Sequence, residues 1–247
     1  MLEKIEGIII KTIDYGETNK IITIFSKRIG KFTALARGAK KPRSRMAAVA
    51  QPFILGQFFV YLNRGLSTMQ QGEVLNNFRK IREDIVKTAY TAYITELTDK
   101  LVDEKTPDPF LYDQLYETMS WIAEKEDSEI PIMMYELKLF TKGGFAPILS
   151  HCTKCGTKEG PFSFSLPEGG LLCRQCGYLD QDAIALSNTQ VKLLYIFQSV
   201  GLEQVGEISV KAENRKLLRQ LIDAYYDRFG GFHLKSRRFL NQLDKFK

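Results

Sequence analysis

Apolar and turn residues alternate through the first 75 residues in the pattern of short β-strands. β-Branched and aromatic side chains dominate the apolar runs, and connectors rich in Gly, Asp and Asn separate them. The pattern predicts five strands, over residues 3–13, 19–26, 30–37, 53–62 and 67–75. A longer link, residues 38–52, separates the third strand from the fourth. This arrangement predicts an OB-fold, a small barrel that commonly binds nucleic acid, and a different small barrel is the alternative.

Beyond residue 80, the apolar period changes to that of amphipathic helices. The i+4 recurrence that starts at Ile81 predicts one long helix up to Leu101, followed by two helices before Gly143. Residues 187–190 fit a capping box at the start of a later helix, and a further helix is predicted over residues 212–229. We expect the later helices to join the earlier ones in one helical core.

Together these patterns predict an α+β multidomain protein, with an N-terminal OB-fold β-barrel and an α-helical C-terminal domain that carries a four-cysteine zinc-ribbon insert. The predicted segments are 1–80 for the barrel, 81–148 and 181–247 for the two parts of the helical domain, and 149–180 for the insert. No apolar run approaches the roughly 20 residues that cross a bilayer, so no membrane span is expected. The first residues lack the features of a secretory signal, which predicts a cytoplasmic location with reduced cysteines.

Charge is segregated along the chain, although the formal net charge is only +6. Residues 1–80 hold 14 Lys and Arg against 5 Asp and Glu, and residues 228–247 hold 6 against 1. The middle, residues 81–227, holds 15 against 23. Two basic ends around an acidic middle indicate that the ends meet a polyanion. A random surface distribution is the alternative.

The four cysteines lie within 25 residues, as two C-x2-C pairs separated by 17 residues. This is the spacing of a zinc ribbon, in which two tight knuckles bring four thiolates to one ion. The predicted Zn²⁺ ligands are Cys152, Cys155, Cys173 and Cys176. A four-thiolate shell leaves no open position for water or substrate, so a structural zinc is expected. A redox role is the weaker alternative, since no βαβ context accompanies the pairs.

The segment from Lys27 to Arg45 holds eight cations and no acidic residue. If residues 30–37 form a strand, Lys31 and Arg37 share one face and are expected to project outward. The loop that follows suits a phosphate backbone without selecting a base sequence. The candidate nucleic-acid-binding residues are Lys27, Arg28, Lys31, Arg37, Lys40, Lys41, Arg43 and Arg45. A solvated loop and a membrane-surface contact are the alternatives, and the second is disfavoured because no amphipathic helix carries these cations.

Two further features extend this interpretation. Aromatic residues of the barrel that face outward can stack bases, whereas strand alternation places about half of them in the core. These candidates are Tyr15, Phe58, Phe59 and Tyr61. A second basic cluster comprises Lys235, Arg237, Arg238, Lys245 and Lys247. This cluster either extends the basic surface or is a charged helix end.

Catalytic signatures are missing from the sequence. The glycine spacing of a phosphate-binding P-loop does not occur, and no GxGxxG motif follows a strand. The two histidines, His151 and His233, offer few candidates for acid-base or nucleophilic catalysis. We therefore expect no nucleotide hydrolysis.

Several motifs, taken in order, resemble the RecO family of bacterial recombination mediators. The resemblance covers nearly the whole chain, with the order barrel, helices, four-cysteine ribbon and helices. The motifs are Glu6-Gly7-Ile8-Ile9, Asp14-Tyr15-Gly16-Glu17, the run from Ile22 to Ser26, Gly30-Lys31-Phe32, Ala36-Arg37-Gly38-Ala39, Lys41-Pro42-Arg43-Ser44 and Gly143-Gly144-Phe145-Ala146-Pro147.

The resemblance implies a nucleoid-associated DNA repair protein that binds single- and double-stranded DNA, anneals complementary strands and is not a classical enzyme. It implies action with RecR, and in some settings RecF, to place RecA on DNA covered by single-strand-binding protein (SSB), whose acidic C-terminal tail such proteins engage. The family's basic barrel positions carry over to Lys31, Arg37, Lys40, Lys41 and Arg43. Some family members lack the cysteines, which agrees with a structural metal.

Three other functional classes remain open from the residues alone. An RNA-binding protein of translation or transcription also combines OB barrels with zinc ribbons. A zinc-assisted enzyme acting on nucleic acid requires an open metal position. A scaffold that binds only proteins requires no contact between its cations and a nucleic acid.

Overall fold

A computed structural model describes residues 2–206 and 209–243 of the chain. The chain divides into two compact units. The first, which we call the barrel unit, combines Met1–Ser128 with Leu234–Lys247, and the second, the ribbon unit, is Glu129–His233. The C-terminal segment thus belongs with the barrel. The four predicted domain segments stay a prediction, and these compact units have other limits.

Five strands of the barrel unit close into a barrel in the order β1-β2-β3-β5-β4. Neighbouring strands are antiparallel, except that β3 and β5 pair in parallel. The predicted five-stranded OB-like barrel is therefore confirmed, with nearly the predicted strand limits. The strands are β1 (Leu2–Tyr15), β2 (Asn19–Ser26), β3 (Gly30–Ala36), β4 (Leu55–Tyr61) and β5 (Ser67–Asn76).

The remaining elements are helical, apart from three short strands. Strands β6 (Phe162–Ser165), β7 (Gly170–Cys173) and β8 (Ile184–Leu186) form a second sheet in the order β7-β6-β8. A 3₁₀ helix covers Arg174–Leu179. The α-helices are α1 (Arg45–Val49), α2 (Arg79–Arg82), α3 (Ile85–Leu101), α4 (Pro109–Glu124), α5 (Glu129–Lys142), α6 (Asn188–Ser199), α7 (Leu202–Val205), α8 (Ala212–Phe229) and α9 (Lys235–Leu243). No helix in the described ranges is long and apolar enough to span a membrane.

The barrel core follows the strand period, since alternate residues of each strand point inward. Ile5, Ile22 and Phe58 are at most 1% exposed, and Val49 of α1 packs with them. The first helix lies in the long link between β3 and β4, against β5. Apolar burial of this kind is the main favourable term in forming the barrel.

A β-bulge in β1 changes which residues face outward. The register with β2 shifts between Ile9 and Lys11, so one extra residue separates the two halves of the strand. Beyond this point Lys11, Ile13 and Tyr15 are exposed, although their odd numbering matches that of buried Ile9. Ile13 and Tyr15 are each 52% exposed.

Two helices of the barrel unit contact the outer face of β2 and β3. Phe25 of β2 is fully buried, and its ring lies 5.8 Å from that of Tyr112 in α4. On β3, the Lys31 ammonium donates to the backbone carbonyl of Asp99 in α3. OB-folds typically bind nucleic acid on the face of strands 2 and 3. Helices cover part of that face here, at Phe25 of β2 and at Lys31 of β3.

The predicted long helix from Ile81 is wrong in one respect, since two helices replace it. Asp84 takes an extended conformation between α2 and α3. Its carboxylate accepts hydrogen bonds from the backbone N–H groups of Val86 (2.7 Å) and Lys87 (3.0 Å). An N-cap of this kind satisfies free N–H groups at the start of α3, which explains the break.

Within the ribbon unit, α5 is buried along nearly its whole length and contacts α6 and α8. The predicted capping box is present, since Gln190 N–H donates to Ser187 Oγ (3.3 Å) and Ser187 N–H donates to Gln190 Oε1 (2.8 Å). The prediction of one helical core needs correction. Of the helices before residue 145, only α5 lies in the same compact unit as α6 and α8.

Candidate nucleic-acid interface and metal centre

The basic loop, defined as residues 37–45, is held in place by the β1–β2 connection. Gly38 N–H donates to Asn19 Oδ1 (2.9 Å), and Lys40 N–H donates to the carbonyl of Thr18 (2.9 Å). Gly38 has a φ of +68°, a conformation that favours glycine. Ser44 ends the loop by accepting Met46 N–H as the N-cap of α1. These contacts fix the loop backbone and leave its basic side chains toward solvent.

Four of the eight predicted DNA-binding cations are exposed on this loop and form no ion pair with any residue in the described ranges. They are Arg37, Lys41, Arg43 and Arg45. Lys40 differs, since its ammonium lies 2.9 Å from a carboxylate oxygen of Asp14. Unpaired cations carry only water and counterions, which a phosphate backbone can displace.

Lys27 and Arg28 lie on the turn between β2 and β3 and are paired with acids. Lys27 Nζ is 2.7 Å from Asp113 of α4, and Arg28 is 2.6 Å from Glu3 of β1. Both basic side chains are more than half exposed. Ion pairs at such exposed sites typically contribute only about 0–1 kcal/mol, so these cations remain exchangeable.

The expectation that Lys31 projects into solvent beside Arg37 is wrong. Its side chain is only 11% exposed, and its ammonium lies 3.7 Å from Asp99 Oδ1 in addition to its bond with the Asp99 carbonyl. Asp99 is also paired with Lys11 at 2.7 Å. Alternation along β3 does turn Lys31 away from the barrel core, but α3 covers that outer face. Lys31 therefore stabilises helix packing and has no access to a phosphate.

The aromatic candidates divide between core and surface. Phe58 is fully buried, whereas Tyr15 and Tyr61 are 52% and 44% exposed. Phe59 is half-buried, with the ammonium of Lys4 at 5.9 Å from its ring centroid. Tyr15 pairs in register with Asn19, the residue that holds the basic loop. Its ring is thus the aromatic side chain best placed to stack a base bound at that loop.

One basic residue beside the loop, Lys20, was not among the residues predicted from the sequence. Lys20 is the second residue of β2 and lies in register with Ala36 of β3, which directly precedes Arg37. It also pairs in register with Asp14 of β1. Strand register brings it to the loop, and only correct pairing of the three strands could have indicated this.

The cysteine cluster lies in the ribbon unit and unites the four predicted ligands. All four sulfur atoms lie within 4.8 Å of one another. Gly156 N–H donates to the Cys152 carbonyl (3.0 Å) and closes the first knuckle, with Gly156 at a φ of +75°. The second pair follows the antiparallel β6–β7 hairpin, since Cys173 ends β7. His151 is not part of this group, and its Nδ1 lies 2.8 Å from Ser150 Oγ.

The electrostatics of this cluster favour a bound cation. Burial disfavours a thiolate at Cys152, but backbone N–H groups of Cys155, Cys173 and Lys154 donate to it and lower its pKa to about 6. At Cys176, burial and the neighbouring sulfurs raise the pKa to about 12. Four sulfurs this close cannot all ionise alone. A divalent ion would remove that repulsion, and the four cysteines would hold it as thiolates.

The sulfur positions also fit a tetrahedral metal. A metal–sulfur distance of about 2.3 Å separates the sulfurs of a tetrahedron by about 3.8 Å. Cys155 Sγ and Cys173 Sγ are 3.6 Å apart, close to that value. The four cysteines could therefore hold one metal ion, and four sulfur ligands would fill its coordination shell.

Two models of one protein family together match nearly the whole chain. The family model "Recombination protein O N terminal" matches residues 1–78, and "Recombination protein O C terminal" matches residues 82–238. A protein of Oceanobacillus iheyensis named "DNA repair protein RecO" is 60% identical over 246 residues, which cover 100% of this chain and 95% of the relative. Proteins of the same name from Bacillus cereus and Bacillus anthracis are each 44% identical over 247 residues, with both chains fully covered.

Proposed function

The chain belongs to the RecO family and has a role in DNA repair and recombination, and from that premise we propose that it is a mediator that binds and anneals DNA strands without nucleotide hydrolysis. In this proposal, residues 1–80 form the DNA-binding domain. The protein acts with RecR, and in some settings RecF, to place RecA on SSB-coated single strands, and it contacts the acidic C-terminal tail of SSB. We propose a cytoplasmic, nucleoid-associated location.

One observation carries the DNA-binding part of this proposal, namely the exposed basic loop. Arg37, Lys41, Arg43 and Arg45 have no acidic partner in the described ranges, and Lys20 lies beside them. Contacts with phosphates read no base sequence, which suits a protein that must act at any gap. The same contacts serve single and double strands, because both present a phosphate backbone.

Annealing follows from charge neutralisation. Two complementary strands repel each other through their phosphates, and cations that screen one backbone lower the cost of approach for the second. Base pairing then supplies the free energy, so no nucleotide hydrolysis is needed. Lys40, Lys27 and Arg28 join the contact in this proposal by exchanging their exposed or partly exposed carboxylate partners for phosphates.

We propose that the metal is Zn²⁺ and that it is structural. Four thiolates are the ligand set of structural zinc sites, and they leave no position for an attacking water. The ion would join the knuckle at Cys152 to the end of the β6–β7 hairpin at Cys173. No step of annealing passes through it.

A strand-annealing assay tests this function. Complementary oligonucleotides, each coated with SSB, are mixed with the protein in the absence of a nucleoside triphosphate. The assay is run with and without RecR, and duplex formation is followed by fluorescence resonance energy transfer. The wild type is expected to accelerate annealing, and Arg37→Glu/Lys41→Glu is expected to lose most of that acceleration. Lys211→Glu/Lys216→Glu, which reverses two exposed lysines of the ribbon unit, is the matched control.

Two outcomes would count against the proposal. Equal annealing by the loop variant and the wild type would remove the basic loop from the mechanism. Preferential binding of matched RNA strands over DNA strands would favour the RNA-binding alternative.

A further inference from the structure

We infer that the solvent-facing side of α9, together with Lys100 of α3, is a second contact surface for single-stranded DNA. Lys235 and Arg238 would meet phosphates, and Phe239 would stack on a base. The inference rests on the proposed function, because α9 would contact a further part of the same DNA strand that the basic loop binds. It assigns a binding role to Lys235 and Arg238 of the C-terminal basic cluster, whereas Lys245 and Lys247 lie outside the described residues.

The first step is the position of α9, which belongs to the barrel unit and packs on α3. Glu96 of α3 accepts hydrogen bonds from the backbone N–H groups of Lys235 (3.3 Å) and Ser236 (2.9 Å). The chain thus leaves the barrel unit at residue 128 and returns to it at residue 234. The basic C-terminal segment is therefore part of the same compact unit as the basic loop.

The second step is the composition of the exposed side of this helix. Positions i, i+3, i+4 and i+7 share one face of a helix, and here all four are exposed, whereas Leu234 and Leu240 are buried. The four residues are Lys235, Arg238, Phe239 and Gln242. No acidic residue occurs in α9, and no ion pair to Lys235 or Arg238 is found across residues 2–206 and 209–243. Phe239 is 41% exposed and lies beside Arg238, one turn after Lys235, and an exposed ring next to unpaired cations is the combination that binds single strands.

The basic residues at the start of α9 are unfavourable for the helix itself. Basic residues are unfavourable in the first turn of a helix, because its N-terminus carries partial positive charge. Lys235 and Arg238 nevertheless occupy the start of α9, which has no acidic residue in its first turn. The carboxylate of Glu96 offsets this charge from the neighbouring helix. A sequence that breaks a local rule and supplies a compensating contact indicates a functional reason for the cations.

The fourth step is continuity with the basic loop. Lys40 of the loop contacts Asp14 of β1, and three residues back along β1, about 10 Å, Lys11 contacts Asp99 of α3. Three residues further back along α3, about 5 Å, Glu96 holds the start of α9. Each acid on this path has a partner. Asp14 pairs with Lys40, Asp99 pairs with Lys11, and Glu96 accepts hydrogen bonds from the N-terminus of α9. Lys100 follows Asp99 in α3 and is exposed, so it adds a cation beside this path.

Single-strand binding measured against oligonucleotide length tests the inference. A labelled oligo-dT of about 6 nucleotides falls within the site size of one OB-fold, and one of about 20 nucleotides exceeds it. We expect Lys235→Gln/Arg238→Gln to bind the short probe like the wild type. On the long probe, its salt dependence should be flatter by about 1.4 log units per log unit of salt, since the variant neutralises two phosphates fewer.

Substitutions of Phe239 test the proposed stacking on a base. Phe239→Leu keeps an apolar side chain, and we expect it to bind the long probe about fivefold more weakly or worse, with an unchanged salt slope. Phe239→Trp should bind at least as tightly as the wild type. Lys211→Gln/Lys216→Gln, in the ribbon unit, should behave as the wild type on both probes. Circular dichroism and thermal unfolding confirm that each variant is folded.

The outcomes separate this inference from the proposed function. Wild-type affinity and salt slope of Lys235→Gln/Arg238→Gln on the long probe would overturn the inference, and a partner protein or an anionic membrane would then be the ligand of α9. Equal weakening on both probes would also overturn it, because the surface would not extend the loop site. Arg37→Gln/Lys41→Gln tests the proposed function on the short probe, where α9 plays no part.

Discussion

The carboxylate of Glu96 in α3 accepts both the backbone N–H of Ser236 (2.9 Å) and its hydroxyl, and so caps a helix that lies 140 residues further along the chain. Helix caps are usually supplied by the residue just before the helix. In this protein the cap comes from a packed neighbour, which ties the C-terminal segment to the barrel unit. The capped helix is also the one that carries the second basic surface.

Removing this cap should loosen α9. We expect Glu96→Ala to lower the free energy of unfolding by about 1 kcal/mol or more, since several N-terminal donors of α9 would have no acceptor. Urea unfolding measures the change. Glu73→Ala, an exposed acid on β5, is the control and should change stability by less than about 0.5 kcal/mol. Equal effects of the two substitutions would show that the cap contributes nothing.

Lys31 and Arg37 should separate stability from binding. Lys31→Met removes a buried ammonium that bonds to Asp99, and we expect a decrease of about 1–3 kcal/mol in unfolding free energy with unchanged DNA affinity of the folded protein. Asp99 retains Lys11, which limits the cost. Arg37→Met should weaken DNA binding and leave stability nearly unchanged. Weaker DNA binding by folded Lys31→Met would contradict the burial of that side chain.

Charge reversal on the basic loop should act on all DNA sequences alike. Arg37→Glu/Lys41→Glu is expected to weaken binding to unrelated oligonucleotides by similar factors. On a single strand, the salt slope should fall by about 0.7 for each phosphate that the variant no longer neutralises. Fluorescence anisotropy over a salt series measures both. Weakening confined to one sequence would point to base recognition instead.

Metal content should follow the four cysteines. We expect about one zinc per chain in metal analysis, and its absence from Cys155→Ser and from Cys176→Ser. Both variants should be destabilised by more than the roughly 1 kcal/mol of an average substitution, because metal binding contributes to folding. His151→Ala should keep the metal. Full stability of a metal-free protein would show that the cluster needs no ion.

Alkaline pH should remove the free-energy cost of burying the charged ammonium of Lys138. This buried lysine of α5 donates to the Phe197 carbonyl at 2.9 Å, and burial lowers its pKa from 10.5 to about 8, although Glu203 opposes the shift. Between pH 8 and 10.5 the unfolded chain binds more protons, so stability rises with pH through this group, by at most about 1.4 kcal/mol per pH unit. Below pH 8 both states are protonated and the cost is constant.

The comparison variant for this effect is Lys138→Met, which should lack the rise. Urea unfolding of the two proteins between pH 8 and 9.5 gives the difference, and the upper limit avoids titration of tyrosines. Lys192→Met, an exposed position of the same unit, should follow the wild type. Parallel pH dependences of the wild type and Lys138→Met would mean that the buried ammonium does not titrate in this range.

The barrel strands and the cysteine cluster could be predicted because both depend on neighbours in sequence. A strand repeats every two residues, and a knuckle needs a two-residue gap between cysteines, so local spacing is sufficient. Ser187 and Gln190 likewise form their capping box within one turn. The exposed cations of the basic loop also follow from local composition, since Gly, Pro and Ser interrupt any regular element there.

Other properties needed the packed chain. The bulge after Ile9 reverses the alternation of β1 and exposes Tyr15, and no residue pattern marks it. Lys31 faces away from the core, as its parity requires, but a helix that begins 54 residues later covers it. Whether an outward side chain meets water or another element depends on what packs there.

By itself, the sequence determined a five-stranded barrel, later helices, a four-cysteine cluster and two basic ends, because each follows from the period or spacing of nearby residues. The tertiary structure alone decided which cations are exposed, which aromatic rings face outward and where the C-terminal segment lies. These depend on contacts between residues far apart in the chain, such as Glu96 with Ser236 and Lys31 with Asp99. Long-range packing has no local signature, since many segments can bury the same apolar face.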